Sequence, residues 1–219
     1  MARKVVALNI DTLDQLPLPC RRCVFWELGG KARPIGSEEA GFQKEAWLSS
    51  IVLEWGPAGQ VLLVGGEPAA YSLYAPARFL EQANSQAARP VSRDAVLLAT
   101  LAVSPSFEGQ RIGRVLLQSM ARDLIKRKVR AIEAFGDRVW TGRKCHIPID
   151  FLESCGFQVV REHPRYPLLR MDLRTALRWK DAREAALEAL RVPAKPVLRP
   201  VPSSPPPGSR PETPNPASL

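Results

Sequence analysis

Long apolar runs are missing from this sequence: the longest, such as 95–103, fall far short of the roughly 20 residues a membrane-spanning helix needs. Neither a transmembrane segment nor a membrane partner is expected. The first residues, Met-Ala-Arg-Lys-Val-Val-Ala-Leu-Asn-Ile, break their apolar run at Asn9 and Asp11 and so lack the apolar centre of a secretory signal. A soluble, cytoplasmic protein is the expectation. Histidine is scarce, with two residues, and the four cysteines are Cys20, Cys23, Cys145 and Cys155. A reducing compartment disfavours structural disulfides among them, which leaves metal binding or free thiols. Also lacking is any nucleic-acid reading motif or aromatic platform, so the net charge of +9 does not make nucleic acid an expected partner. A basic surface serves equally well for a ligand that carries several phosphates.

What is present suits one core. A chain of 219 residues with 45% hydrophobic content buries a single sizeable interior, and one domain over 1–191 is the simplest reading. Arg111, Arg114, Arg122, Lys126, Arg127, Lys128 and Arg130 crowd one predicted helix and its end, which favours a local anion site. From Val192 the composition changes: ten of the 21 prolines fall there with almost no large apolar residues. Such a segment cannot offset its ordering entropy by burial, so 192–219 is expected to be a disordered proline-rich tail. Just before it, 175–191 reads as a C-terminal helix with Leu177, Ala186, Leu187 and Leu190 on its apolar face.

The remaining order is legible from periodicity. Strands are predicted at 4–10, 60–64 and 70–74, the last two joined through Gly65, Gly66, Glu67 and Pro68 as a hairpin, with a helix at 38–55. An apolar strand at 95–103, a helix at about 110–128 and a strand at 130–135 form a parallel unit with a crossover. The helix carries Ile112, Val115, Leu116, Met120 and Leu124 at helical spacing and therefore buries one face. A short helix at 149–155, ended by Gly156, and strands at 158–161 and 168–173 complete a mixed α/β (α+β) domain.

The junction Leu101-Ala102-Val103-Ser104-Pro105-Ser106-Phe107-Glu108-Gly109-Gln110-Arg111-Ile112-Gly113-Arg114 carries the strongest signal. Unpaired amides and the dipole at a helix start favour an anion there. Gly109 and Gly113 would keep side chains away from a pyrophosphate, and Arg111 and Arg114 would add charge. This segment resembles the acetyl-CoA-binding motif of the GCN5-related N-acetyltransferase (GNAT) family, a strand ending in Val-x-Pro followed by Arg/Gln-x-x-Gly-x-Gly/Ala and an apolar helix. Val103, Pro105 and Gly113 match, whereas Glu108 stands where Arg or Gln is usual and Arg111 replaces the first glycine. Downstream, Pro148-Ile149-Asp150-Phe151-Leu152-Glu153-Ser154-Cys155-Gly156-Phe157 resembles the family's Ala-x-x-Phe-Tyr-Glu-Lys-x-Gly-Phe segment beside the cofactor thiol. A combination of Cys-x-x-Cys-Val-Phe-Trp-Glu, Lys44-Glu45-Ala46-Trp47, Ile132-Glu133-Ala134-Phe135 and Glu162-His163-Pro164-Arg165-Tyr166-Pro167 further resembles a bacterial branch of that family.

The resemblance implies a GNAT fold: a central mixed, mostly antiparallel sheet, splayed at the cofactor site after a bulge and flanked by helices. It implies an acyl-CoA-dependent N-acetyltransferase, with acetyl-CoA or another acyl-CoA as co-substrate and an amine of a small molecule or protein as acceptor. Cofactor contacts would come from Leu101, Ala102, Val103, Glu108, Gly109, Gln110, Arg111, Ile112, Gly113 and Arg114, with the Val103 amide polarising the thioester. A second copy of the chain is a further expected partner. The rival reading is a catalytically inactive CoA sensor or interaction module, because Leu152 occupies the position where the family commonly has an acidic tyrosine.

Amine attack needs a general base, since a lysine-like amine with pKa ~10.4 is mostly protonated at neutral pH. Glu133, in the middle of the apolar run Ala131-Ile132-Glu133-Ala134-Phe135, is one candidate, with a solvent or salt-bridge role as its alternative. Glu27 is a second, and His146 and His163 are others. Tyr166, Cys145 or solvent would protonate the leaving thiolate. Cys20-Arg21-Arg22-Cys23 has the spacing of half a zinc site, to be completed by Cys145 with His146 or His163. A redox pair and two unremarkable thiols are the other readings of Cys20 and Cys23.

Overall fold

A computed structural model of the chain describes residues 2–17, 20–29, 36–141 and 145–174. The expected helix at 175–191 and tail at 192–219 lie outside them. The described residues form an eight-stranded sheet in the order β1-β2-β3-β4-β5-β8-β7, with β6 on the far end of β5. In chain order the strands are Arg3–Ala7 (β1), Gly59–Val64 (β2), Glu67–Ala75 (β3), Ala95–Val103 (β4), Ala131–Asp137 (β5), Ile147–Pro148 (β6), Gln158–Arg161 (β7) and Leu168–Asp172 (β8). Helices Ile10–Leu13 (α1), Phe25–Leu28 (α2), Glu38–Glu54 (α3), Ile112–Lys126 (α4) and Ile149–Ser154 (α5) flank it. Only β4–β5 and β5–β6 pair in parallel, so the mixed, mostly antiparallel sheet is as expected.

Two boundaries moved for local reasons. The first strand stops at Ala7 rather than running to residue 10, because Asn9 caps α1: its Oδ1 accepts from the Thr12 amide at 3.0 Å and the Thr12 Oγ1 accepts from the Asn9 amide at 2.9 Å. The hairpin turn is tighter than expected. Gly65 and Gly66 alone make it, at φ 62° and 94°, a pair of positive values that only glycine adopts easily. Glu67 and Pro68 therefore belong to β3, and a bulge follows opposite Leu62 and Leu63.

The two sheet faces are covered differently. Leu97, Ala99, Tyr71, Leu73, Phe135 and Trp26 pack with Leu48 and Ile51 of α3 on one face. Val96, Leu98, Ile132 and Ala134 meet Leu117, Met120 and Leu124 of α4 and Leu152 of α5 on the other. No helix of the described residues is long and apolar enough to cross a membrane.

Candidate active site

The site begins where two parallel strands part. β4 and β5 pair at Ala95↔Ala131, Val96↔Ile132 and Leu97↔Glu133, and there the pairing stops. β4 nevertheless runs on to Val103, held only by β3, while β5 runs on to Asp137 and pairs with β6 instead. A bulge marks the divergence: Thr100 faces Leu73 and Leu98 faces Tyr74, so Ala99 has no register partner of its own. Leu101, Ala102 and Val103 are half-buried on this open edge. The expected splay after a bulge is thus present.

On the α4 face, the edge leads into the loop that precedes α4. Glu108, Gly109, Gln110 and Arg111 are exposed. Gly109 and Arg111 take left-handed backbone conformations, φ 74° and 60°. Arg111 is the N-cap of α4 and makes no side-chain cap, and the first turn contains no acidic residue. Most helices fill this position with Ser, Thr, Asp or Asn to satisfy the first amides; α4 has no such cap. Gly113 also has a packing role: its Cβ would come 3.2 Å from both Leu101 Cδ2 and Phe151 Cζ, so it lets α4 settle onto β4 and α5. Arg111 and Arg114 are both exposed, and Arg114 donates to the Ser154 carbonyl at 2.8 Å.

The opposite face carries a narrow pocket lined by Cys20, Cys23, Trp26, Glu27, Lys44, Tyr71, Leu73, Thr100 and Cys145. Its free space is about 20 Å³, room for about one water. Glu27 and Lys44 form a buried ion pair, 2% and 4% exposed, and Lys44 Nζ also donates to the Cys23 carbonyl at 3.0 Å. Lys44 lies on the α3 stripe that otherwise buries Ala40, Leu48 and Ile51. Tyr71 lies opposite Ala102 in the β3–β4 register. Burial, with the Cys20 thiol beside it, pushes its phenol well above the ordinary value.

Cys23 Sγ and Cys145 Sγ are 3.8 Å apart. The hydrogen bond with Cys145 is the main reason the Cys23 thiol is lowered to about 7, against the opposing effect of burial; the same contact pushes Cys145 up. The zinc expectation for Cys20 and Cys23 is corrected: among the described residues no group of three or more His, Cys, Asp or Glu side chains is arranged to hold a metal. Cys20 and Cys23 both line the pocket, but Cys20 is engaged with Tyr71 and Cys23 with Cys145.

The other candidates fall elsewhere. Glu133 sits on the paired half of β5 and is fully buried; its Oε2 accepts from the Ser92 amide at 2.8 Å and its Oε1 from Arg170 Nη1 at 2.9 Å. Arg170 also holds Asp94, whose carboxyl it keeps below the usual range. Tyr166 stacks on His146 at 4.4 Å, and His146 in turn packs edge-on against Trp26 at 5.5 Å. One histidine ring therefore separates Tyr166 from the pocket wall. His163 Nδ1 accepts from the Tyr166 amide at 2.8 Å, shaping the turn before β8. Leu152 is completely buried in the α4–α5 core. Tyr71 and Thr100 are not singled out by the sequence, and Lys44 enters it only within the Lys44-Glu45-Ala46-Trp47 segment.

The sequence model described as "Acetyltransferase (GNAT) family" matches residues 18–157, more than half of the chain. The chain belongs to the GNAT family. No curated protein matches it. Among solved structures, this GNAT protein is similar to an N-acetyltransferase from Staphylococcus aureus Mu50, with TM-score 0.53, 12% identity and coverage of 79% of this chain and 99% of that one. YncA from Salmonella typhimurium, solved with its cofactor acetyl-CoA, gives TM-score 0.53 at 14% identity, covering 79% and 95%. A ribosomal-protein-alanine N-acetyltransferase from Brucella melitensis gives TM-score 0.52 at 18% identity, covering 77% and 99%. At these identities the likeness speaks to the fold, and the fold is that of the GNAT acetyltransferases.

Proposed function

We propose that this GNAT protein moves an acetyl or other acyl group from acyl-CoA to an amine of a small molecule or protein, by direct attack in a ternary complex. One observation carries the reading. The parting of β4 and β5 joins an uncapped helix start on one face to a carboxylate-bearing pocket on the other. The amides of 108–113 and the Arg111 guanidinium receive the phosphates. The free edge of Leu101, Ala102 and Val103 offers the pantetheine arm the hydrogen bonds that β5 no longer takes. The Val103 amide donates to the thioester carbonyl, a contribution of about 3 kcal/mol for one oriented donor in other acyl-transfer enzymes.

Glu27, the one carboxylate lining the pocket among the described residues, attracts the cationic amine and takes its proton, while Lys44 fixes the carboxylate's position. Tyr71 gives its phenolic proton to the departing thiolate; burial keeps that proton on the ring oxygen until it is needed. This assignment supplies the acid that Leu152 cannot. Glu133, with both oxygens already held, is assigned to fold stability, and Tyr166 to the wall behind His146.

The test is acetyl-CoA binding by calorimetry alongside thiol release across a panel of small amines and peptides with free N-termini. Amine-dependent release of CoA is expected. Binding without release from any acceptor would favour a CoA-binding module over an enzyme, and no binding would contradict both.

A further inference from the structure

The acceptor pocket holds more sulfur than transfer to an amine requires. Cys23 and Cys145 lie 122 positions apart in sequence, yet their sulfurs are 3.8 Å apart. Both backbones are clamped. The Trp26 indole Nε1 donates to the Cys145 carbonyl at 2.6 Å, and Lys44 Nζ donates to the Cys23 carbonyl at 3.0 Å. Both residues are partly exposed, whereas Cys20, the sequence neighbour, is buried against Tyr71. Either sulfur can be the donor in this contact, which lowers the Cys23 thiol and raises that of Cys145. Two thiols in contact, one of them lowered, are the arrangement in which oxidation of the first sulfur is resolved by the second.

We propose that Cys23 and Cys145 form an oxidation site at which a hydroperoxide converts the two thiols into a disulfide that closes the acceptor side of the pocket. Cys23 thiolate attacks the terminal peroxide oxygen, the O–O bond breaks, and the alkoxide or hydroxide leaves with a proton from solvent. Cys23 is then a sulfenic acid. Cys145 sulfur attacks Cys23 sulfur, the S–O bond breaks, and water departs with the Cys145 proton. The two thiols lose two electrons in total, and the peroxide gains them. The sulfurs must close from 3.8 Å to about 2.05 Å, which draws the segment before α2 toward residue 145 and narrows a pocket already small. The loop before α4, on the other face of the sheet, is left as it was. The effect on turnover rests on the acyltransferase reading; the disulfide itself does not.

The full chain, reduced and then treated with stoichiometric hydrogen peroxide, is to be digested without reductant and mapped by mass spectrometry. Expected is a peptide pair joining Cys23 to Cys145 with loss of two hydrogens, and a fall in amine-dependent turnover of about a hundredfold, the scale of an ångström displacement at a reacting centre. Dithiothreitol should restore turnover, and acetyl-CoA affinity should not change. Each of Cys23→Ser and Cys145→Ser, compared with its own untreated rate, should resist reversible inactivation, whereas Cys20→Ser should remain sensitive. A Cys20–Cys23 link, or stable over-oxidation of Cys23 with no link to Cys145, would overturn the proposal. Wild-type mapping stands even if a variant fails to fold or no acceptor is found. Calorimetry with acetyl-CoA separately judges the acyltransferase reading.

Discussion

At the scale of single residues, burial separates the two glutamates that the sequence makes conspicuous. Replacing Glu27 by Gln removes the pocket's carboxylate, and kcat should fall by about a hundredfold or more, the range for a positioned base, with acetyl-CoA affinity retained. Glu133→Ala should behave in the opposite way. It leaves Arg170 and the Ser92 amide short of a partner, so chemical denaturation should show a loss of about 3 kcal/mol while kcat of the folded fraction holds. Tyr71→Phe deletes only the phenolic oxygen. A drop in kcat of about a hundredfold is expected for acetyl-CoA, and a much smaller one for acyl donors with more acidic thiol leaving groups, which need less protonation. Cys23 offers a pH signature. Its thiolate is the reactive form, so the rate of its iodoacetamide alkylation should rise with pH and level off above a midpoint near 7. In Cys145→Ala the hydrogen bond is gone and the midpoint should move up toward about 8.5, the ordinary thiol value.

Sequence reasoning reached these residues unevenly, and the reason is physical. A carboxylate inside an apolar run announces that Glu133 is buried and special, but the cation that neutralises it, Arg170, comes from β8, far along the chain. Lys44 carried a signal that went unread: it falls in helical register with Ala40, Leu48 and Ile51, a stripe in which a cation needs a buried anion. That anion is Glu27. The Cys20–Cys23 spacing pointed to a local pair, whereas folding gives each thiol a different partner.

At the scale of elements, periodicity was nearly sufficient. β4 and β7 have the bounds that their apolar patterning suggests, and α4 differs by one or two residues at each end. The tighter hairpin follows from two glycines that each accept positive φ, which a four-residue turn reading overlooked. The two glycines of the phosphate loop split by role, and substitution should separate them. Gly113→Ala pushes a methyl group against Leu101 and Phe151 and should cost about 1–3 kcal/mol by thermal denaturation, with any loss of cofactor affinity following from the shift of α4. Gly109→Ala meets no neighbouring atom, so its stability loss should stay near 1 kcal/mol, from the φ of 74° alone. Arg111→Glu places an anion at an uncapped helix start. Acetyl-CoA affinity should fall by about tenfold or more, an effect that weakens as ionic strength rises.

At the scale of the molecule, the sheet carries the helix start of α4 on one face and the pocket with Glu27 on the other, with β4 and β5 parting between them. β4 follows β3 for its whole length but leaves β5 after three residue pairs, and everything assigned here lies along that opening. The match to GNAT structures at 12–18% identity shows how little of the fold depends on particular side chains. What the fold leaves to this sequence is the lining of the acceptor pocket, with its buried ion pair, phenol and thiols. The most direct measurement is a crystal structure with acetyl-CoA. The account predicts phosphates on the amides before α4, the pantetheine along Leu101–Val103, and the thioester oxygen about 2.9 Å from the Val103 amide, facing Tyr71 and Glu27. Acetyl-CoA seated elsewhere, or a thioester on the α4 face away from that pocket, would contradict it.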